Sequence, residues 1–193
     1  KKALIPFKRQ DRILLLGEGN FSFAASLAQH HLDDASLLVA TSFDTAEEVR
    51  AKYADGEEQI SIVTDCGGAV LHGIDATRLA EQSARLCKDF SRRLGIETLK
   101  FDTVLFNFPH VAAGIKDQDR NIVANQTMLR DFFKDVPHVL NEGGSIAVSL
   151  ALGKTYERWN LKGLAKDAGL QLARSGQFVG AAFPGYEHRR TSG

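Results

Sequence analysis

Four short segments of this chain combine residue types that can do chemistry. The first is Gly17-Glu18-Gly19-Asn20-Phe21-Ser22-Phe23, directly after the apolar run Ile13-Leu14-Leu15-Leu16. Glycines at such a place let the backbone turn tightly and approach a ligand closely. Position 22 is serine, so the third glycine of G-x-G-x-x-G is missing, which argues against a bound pyrophosphate. A carboxylate between two glycines suits instead a ligand carrying a cationic amino-acid group. Read by itself, the segment is also compatible with an ordinary strand-to-helix turn.

The second is Asp44, closing Ala40-Thr41-Ser42-Phe43. It lies about 25 residues beyond the glycines, near the spacing at which an acidic strand tip accepts hydrogen bonds from ribose hydroxyls. Capping the next helix competes for the same carboxylate. The third is Asp75, in His72-Gly73-Ile74-Asp75-Ala76-Thr77, where an acid could reach an adenine amino group or cap a helix. The fourth is Asn107-Phe108-Pro109-His110. It fills the place where amino-group methyltransferases carry an Asn/Asp-Pro-Pro-aromatic motif, which stacks a planar base and hydrogen-bonds its nitrogen. Proline fixes the backbone there, so the preceding carbonyls can point into a pocket.

These segments need a frame that brings strand ends together. Apolar periodicity predicts strands at 13–16, 37–43, 70–74, 101–108 and 145–150, with two more at 170–173 and 177–182. Helices are expected at 21–31, 45–54, 77–94, 121–140 and 161–168, with Pro137 kinking or ending the fourth and Gly169 capping the fifth. Long loops are expected at 55–69 and 111–120. Strands alternating with helices predict an α/β, Rossmann-like fold: a mostly parallel seven-stranded sheet with helices on both faces. One domain over residues 1–193 is expected.

The bulk properties narrow the field. The 193 residues are 44% hydrophobic and 25% charged, ordinary for a globular chain with one sizeable core. There is no apolar run of membrane-spanning length. Cys66 and Cys87 have no metal-binding spacing, so no metal is expected. The formal net charge is zero, which speaks against nonspecific nucleic-acid binding but leaves room for a local basic patch. The chain opens on Lys1-Lys2 without methionine, which leads to the expectation of a domain from a longer protein.

With these residues in view, the chain resembles the fungal large-subunit (25S) rRNA uridine-N3-methyltransferases. The resemblance rests on the four segments above together with Gly114-Ile115-Lys116-Asp117-Gln118-Asp119-Arg120-Asn121, Trp159-Asn160 and Pro184-Gly185-Tyr186-Glu187-His188-Arg189-Arg190-Thr191. It runs from about Arg12 to Thr191. The resemblance implies a class I methyltransferase fold, S-adenosyl-L-methionine as cofactor, a large-subunit rRNA or pre-ribosome as partner, and the nucleolus as location. By position, Gly17, Glu18, Gly19, Asn20, Phe21 and Ser22 would line the cofactor, with Asp44 at its ribose, Asp75 at its adenine and Asn107 reaching it from the base side. Asn107, Phe108, Pro109 and His110 would face the target base. Lys116, Tyr186, His188, Arg189 and Arg190 are the expected RNA contacts. Relatives often carry a lysine after the fifth strand, where this chain reads Ser149-Leu150-Ala151-Leu152-Gly153-Lys154.

Uridine N3 lies on the pairing edge, so the base must be unpaired or flipped out, and its proton must leave as the methyl arrives. His110 is the natural base by residue type. His188 is the alternative if the end of the chain folds back over the pocket. A monomeric enzyme is expected. An inactive RNA-binding or ribosome-assembly module, a tRNA methyltransferase and a nucleotide-dependent oxidoreductase are the competing readings.

Overall fold

The computed structural model describes residues 3–95, 100–111 and 114–189, without the side chains of 87–89 and 93. Arg190, Lys1, Lys2, Ala112 and Ala113 lie outside the described residues.

Five strands form one parallel sheet: β1 (Ile13–Leu16), β2 (Leu38–Thr41), β3 (Ala69–Leu71), β4 (Phe101–Asn107) and β5 (Leu140–Ser149), in the order β3-β2-β1-β4-β5. β1 is central and its four apolar side chains are all buried. Alternation sends Leu14 and Leu16 to one face and Ile13 and Leu15 to the other, so both faces need cover. Each such side chain, fully buried, contributes about 1.5–3 kcal/mol.

One face is covered by α1 (Ser22–Ser26), the π-helical turn Leu27–His31 and α3 (Gly56–Asp65). The other is covered by α4 (Leu79–Leu94), α5 (Gln118–Asp135) and α7 (Leu161–Asp167). Helix α2 (Ala46–Lys52) precedes α3, and the single turn α6 (Lys154–Glu157) follows β5. Asp117 caps α5, accepting from the Arg120 amide at 2.8 Å. Helix α5 ends at Asp135, where Pro137 cannot continue the ladder and a 3-10 turn takes over.

Two expectations need correction. The sheet has five strands among the described residues, not seven. Residues 171–177 are exposed and unpaired, because Arg174-Ser175-Gly176-Gln177 offers nothing apolar to bury, while Phe178 packs on Phe23, Phe108 and Phe183. The expected loop at 55–69 holds α3, whose buried Val63 and acidic first turn, Glu57 and Glu58, favour a helix. Asn141-Glu142-Gly143-Gly144 is part of β5, absorbed as a bulge between the pairings Phe101–Leu140 and Thr103–Ser145.

Candidate active site

Strand order reverses between β1 and β4, with β2 and β3 on one side and β5 on the other. The loops leaving these two strands diverge, and a crevice opens at their carboxyl ends. The register pairs Leu16 with Phe106, so the Gly17 turn stands beside Asn107. A cavity of about 340 Å³ fills the crevice. Gly17, Glu18, Gly19 and Asn20 line one wall, and Asn107, Phe108, Pro109 and His110 the other. Leu150, Ala151 and Tyr156 close it beyond β5, and Tyr186, His188 and Arg189 cover it from the end of the chain.

The glycine turn is built for close approach. Gly17 has φ +69, and a Cβ there would meet the Phe106 ring at 2.8 Å. A Cβ on Gly19 would lie 3.1 Å from the Tyr53 hydroxyl, which is buried and has no hydrogen-bond partner among the described residues. Asn20 holds the turn: its Oδ1 accepts from Ser22 N at 3.2 Å and Ser22 Oγ at 2.9 Å, and its Nδ2 donates to Asp55 at 2.8 Å. Phe21 is fully buried against His72 and does not reach the cavity. Ser22 is also buried, and its hydroxyl oxygen accepts from Glu187 N at 3.1 Å and lies 3.2 Å from Glu187 O.

Glu18 touches the cavity but is otherwise surrounded by protein. Burial pushes its carboxyl up to about 7, and the Ala24 amide, donating to it at 3.1 Å, offsets only part of the cost. Burial, with the Glu18 carboxylate nearby, pushes the Tyr186 hydroxyl up to about 12.

At the tip of β2, Thr45 and not Asp44 caps the next helix, through a reciprocal pair with Glu48. Asp44 Oδ1 accepts from Lys52 at 2.8 Å, and its Oδ2 has no partner among the described residues. Phe43, beside it, is 69% exposed. Asp75 turns inward on its own chain, accepting from Thr77 N at 2.8 Å and Thr77 Oγ1 at 2.7 Å. Neither Asp44 nor Asp75 lines the cavity itself; both stand at neighbouring strand ends.

On the β4 side, Ser149 Oγ donates to Asn107 Oδ1 at 2.9 Å, leaving the Asn107 NH₂ without a protein partner among the described residues. Phe108 has φ +50, a conformation that is strained for a residue with a Cβ. Its N–H donates to Ser149 O at 2.8 Å. His110 is exposed, its ring 5.9 Å from that of the buried Trp159. The end of the chain does fold back. His188 lies 4.6 Å from the Phe108 ring, and its Nδ1 is 3.0 Å from the Tyr186 hydroxyl. Arg189 pairs with Asp55 at 3.4 Å and with Glu187 at 2.6 Å. Lys116 is exposed and makes no ion pair among the described residues.

Sequence reasoning missed Tyr53, Ser149, Tyr156 and Phe43. Ser149 was within reach, because β5 pairs it with Asn107. Tyr53 carried no local signal, since only the long-range packing of α2 sets it under Gly19. Among the described residues no three His, Cys, Asp or Glu side chains group as metal ligands, and no helix is long and apolar enough to cross a membrane.

Comparison with known proteins adds to this geometry. The chain is 32% identical to the 25S rRNA (uridine(2634)-N(3))-methyltransferase of Saccharomyces cerevisiae, over 98% of this chain and 68% of that protein. It is 31% identical to an uncharacterized protein of Arabidopsis thaliana, over 100% and 88%. It is 29% identical to the human ferredoxin-fold anticodon-binding domain-containing protein 1, over 91% of this chain but 27% of that protein. A short-chain dehydrogenase of Oenococcus oeni superposes with TM-score 0.52 at 15% identity, covering 83% of this chain and 73% of its own, a likeness of fold alone. The BMT5-like family, described as rRNA (uridine-N3-)-methyltransferase BTM5-like, matches residues 14–190, and the chain belongs to that family.

Proposed function

We propose that this chain, acting as one domain and as a monomer in the nucleolus, methylates N3 of an unpaired or flipped uridine in large-subunit (25S) rRNA, using S-adenosylmethionine. The observation that carries the reading is that one cavity joins the Gly17-Glu18-Gly19 turn to Asn107-Phe108-Pro109-His110 in a chain of this family.

The donor set suits the cofactor. Glu18 is a desolvated carboxylate in need of a cation, which the α-ammonium provides. Asp44 has an oxygen left for the ribose hydroxyls, and exposed Phe43 offers a face to the adenine. Asp75 reaches the adenine side only with its second oxygen, since the first holds Thr77. When bound, S-adenosylmethionine supplies the electrophilic methyl carbon.

The rest is done by the protein. Phe108 receives the flat face of the base. The Asn107 NH₂, aimed by Ser149, donates to a carbonyl flanking N3, where charge gathers as the proton leaves. His188 takes that proton at Nε2, with Nδ1–H donated to the Tyr186 oxygen; this tautomer is the one that frees Nε2. The proton taken by His188 would carry off the positive charge that the sulfonium brings when the cofactor is bound, so the charge balances. His110 lacks an orienting partner among the described residues and serves the cavity wall. Arg189 is already neutralised by Asp55 and Glu187, so Lys116 is the better phosphate contact.

Incubation with S-adenosylmethionine and a large-subunit rRNA fragment should yield 3-methyluridine by nucleoside mass spectrometry. His188→Ala should lower kcat by about 10²-fold or more, while His110→Ala stays within about tenfold. The reverse order would transfer the role of base to His110. No product from protein that still binds cofactor would leave the inactive RNA-binding module standing, and product on tRNA alone would change the substrate.

Asp44→Ala should weaken S-adenosylhomocysteine binding by about 10–100-fold in calorimetry, the worth of one charge-assisted hydrogen bond. Unchanged affinity would remove Asp44 from the ribose site.

A further inference from the structure

Leu152 is 92% exposed, the most exposed of the large apolar side chains in the described residues. Single exposed leucines are common on protein surfaces; the position of this one carries the argument. It stands in the loop between β5 and α6, directly after Leu150 and Ala151, which line the cavity, and shortly before Tyr156, which also lines it. Gly153, at φ +139, follows it. The loop is therefore the rim of the base-binding half of the site.

The charges around it point the same way. Lys154 follows Leu152 and is exposed without an ion pair among the described residues. Lys116, equally unpaired, precedes α5, whose first residue reaches α6 through Gln118 Nε2, which donates to Thr155 Oγ1 at 3.0 Å. The arginines nearby are held by acids: Arg189, across the mouth, by Asp55 and Glu187, and Arg158, at the end of α6 on this same side, by Asp119. This rim thus presents two free ammonium groups beside an apolar tip, which matches phosphates on either side of a gap in a base stack.

We propose that Leu152 is a wedge that enters the RNA base stack at the place vacated by the flipped target uridine, with Lys154 and Lys116 holding the flanking phosphates. The inference rests on the reading of the site given under Proposed function. A base reached at N3 must leave its pair, and the empty step closes again unless an apolar side chain fills it. Leu152 makes no covalent contribution; it is a positioning residue.

The test uses two RNAs of the same sequence around the target: a hairpin in which the uridine is paired, and a short unstructured strand. In the hairpin, 2-aminopurine replaces the base next to the uridine, and its fluorescence rises when that neighbour is unstacked. Leu152→Ala should lower methylation of the hairpin about tenfold or more, leave the unstructured strand unchanged, and abolish the fluorescence rise on binding with S-adenosylhomocysteine. Leu152→Phe should retain both. Lys154→Glu should weaken hairpin binding and reduce its salt dependence by about one unit of slope. Equal effects of Leu152→Ala on both RNAs, or none on either, would overturn the wedge. A fluorescence rise that needs Leu152, in a protein that methylates neither RNA, would support the wedge while sinking the proposed substrate.

Discussion

Glu18→Gln is expected to stabilise the ligand-free protein at pH 8 and to remove most of its affinity for S-adenosylhomocysteine. Glu18 titrates near 4.5 when solvated, and in the folded chain burial raises it to about 7. The folded state therefore holds this proton more tightly than the unfolded state. Its contribution to stability is complete below about pH 4.5 and is lost as the pH rises through about 7. Above that, the buried charge costs about 3 kcal/mol. Glutamine keeps the size and can still accept from the Ala24 amide, but carries no charge. At pH 8 the melting temperature of the variant should exceed that of the parent by about 5–10 °C, with the difference vanishing toward pH 4.5. The binding side has the opposite sign. Pairing with a ligand ammonium needs the ionised carboxylate, so the parent should release a proton on binding. Its affinity should rise about tenfold between pH 6 and pH 8, and the variant should bind about 100-fold more weakly, with no slope in that window. A variant that melts no higher than the parent at pH 8 and keeps its affinity would show that Glu18 is neither strained nor used.

That trade is characteristic of what the sequence made legible and what it did not. The glycine-flanked acid, the strand-tip Asp44 and the Asn107 to His110 tetrapeptide were readable, because each sits at the end of a short apolar run. A parallel sheet brings all such ends to one side. The same logic failed for the final strands: residues 170–173 and 177–182 look like strand segments locally, but Phe178 gains more from the ring cluster with Phe23 and Phe183 than from a sheet edge. It also failed for α3, where Gly56 and two glutamates hide a helix whose reason is Val63. Side-chain partners at long range were invisible. Nothing local to Tyr53 foretells that its hydroxyl lies under Gly19, nor that the hydroxyl of Ser22 anchors the tail at Glu187. The tail itself was readable only as a condition, that His188 matters if it folds back. The bonds that fold it back join residues 165 positions apart.

Phe108→Gly separates fold from function most sharply. Phe108 is held at φ +50, where an L side chain costs about 1–2 kcal/mol and glycine costs little. Against that relief stand the half-buried ring, its edge contacts with Phe178 at 5.1 Å and His188 at 4.6 Å, and the greater freedom of glycine in the unfolded chain, about 0.5–1 kcal/mol. The losses exceed the relief by about 1–2.5 kcal/mol, so the melting temperature should fall by about 2–10 °C. Activity should not be spared. The base loses a stacking surface worth about 1–3 kcal/mol, and His188 loses the ring that sets its position over the site. With the reacting nitrogen and the methyl carbon no longer held in line, kcat/KM on uridine-containing RNA should fall about 10²–10³-fold, in kcat as well as in KM. Phe108→Tyr, which keeps the ring and the strain, should retain activity within about tenfold and so exclude a simple volume effect. A strained backbone persists only where surrounding structure enforces it, here through the Phe108 N–H bond to Ser149 O and the fixed Pro109. If Phe108→Gly instead melted more than about 10 °C lower with kcat/KM intact, the strain would serve packing, and the base would have to stack elsewhere in the cavity.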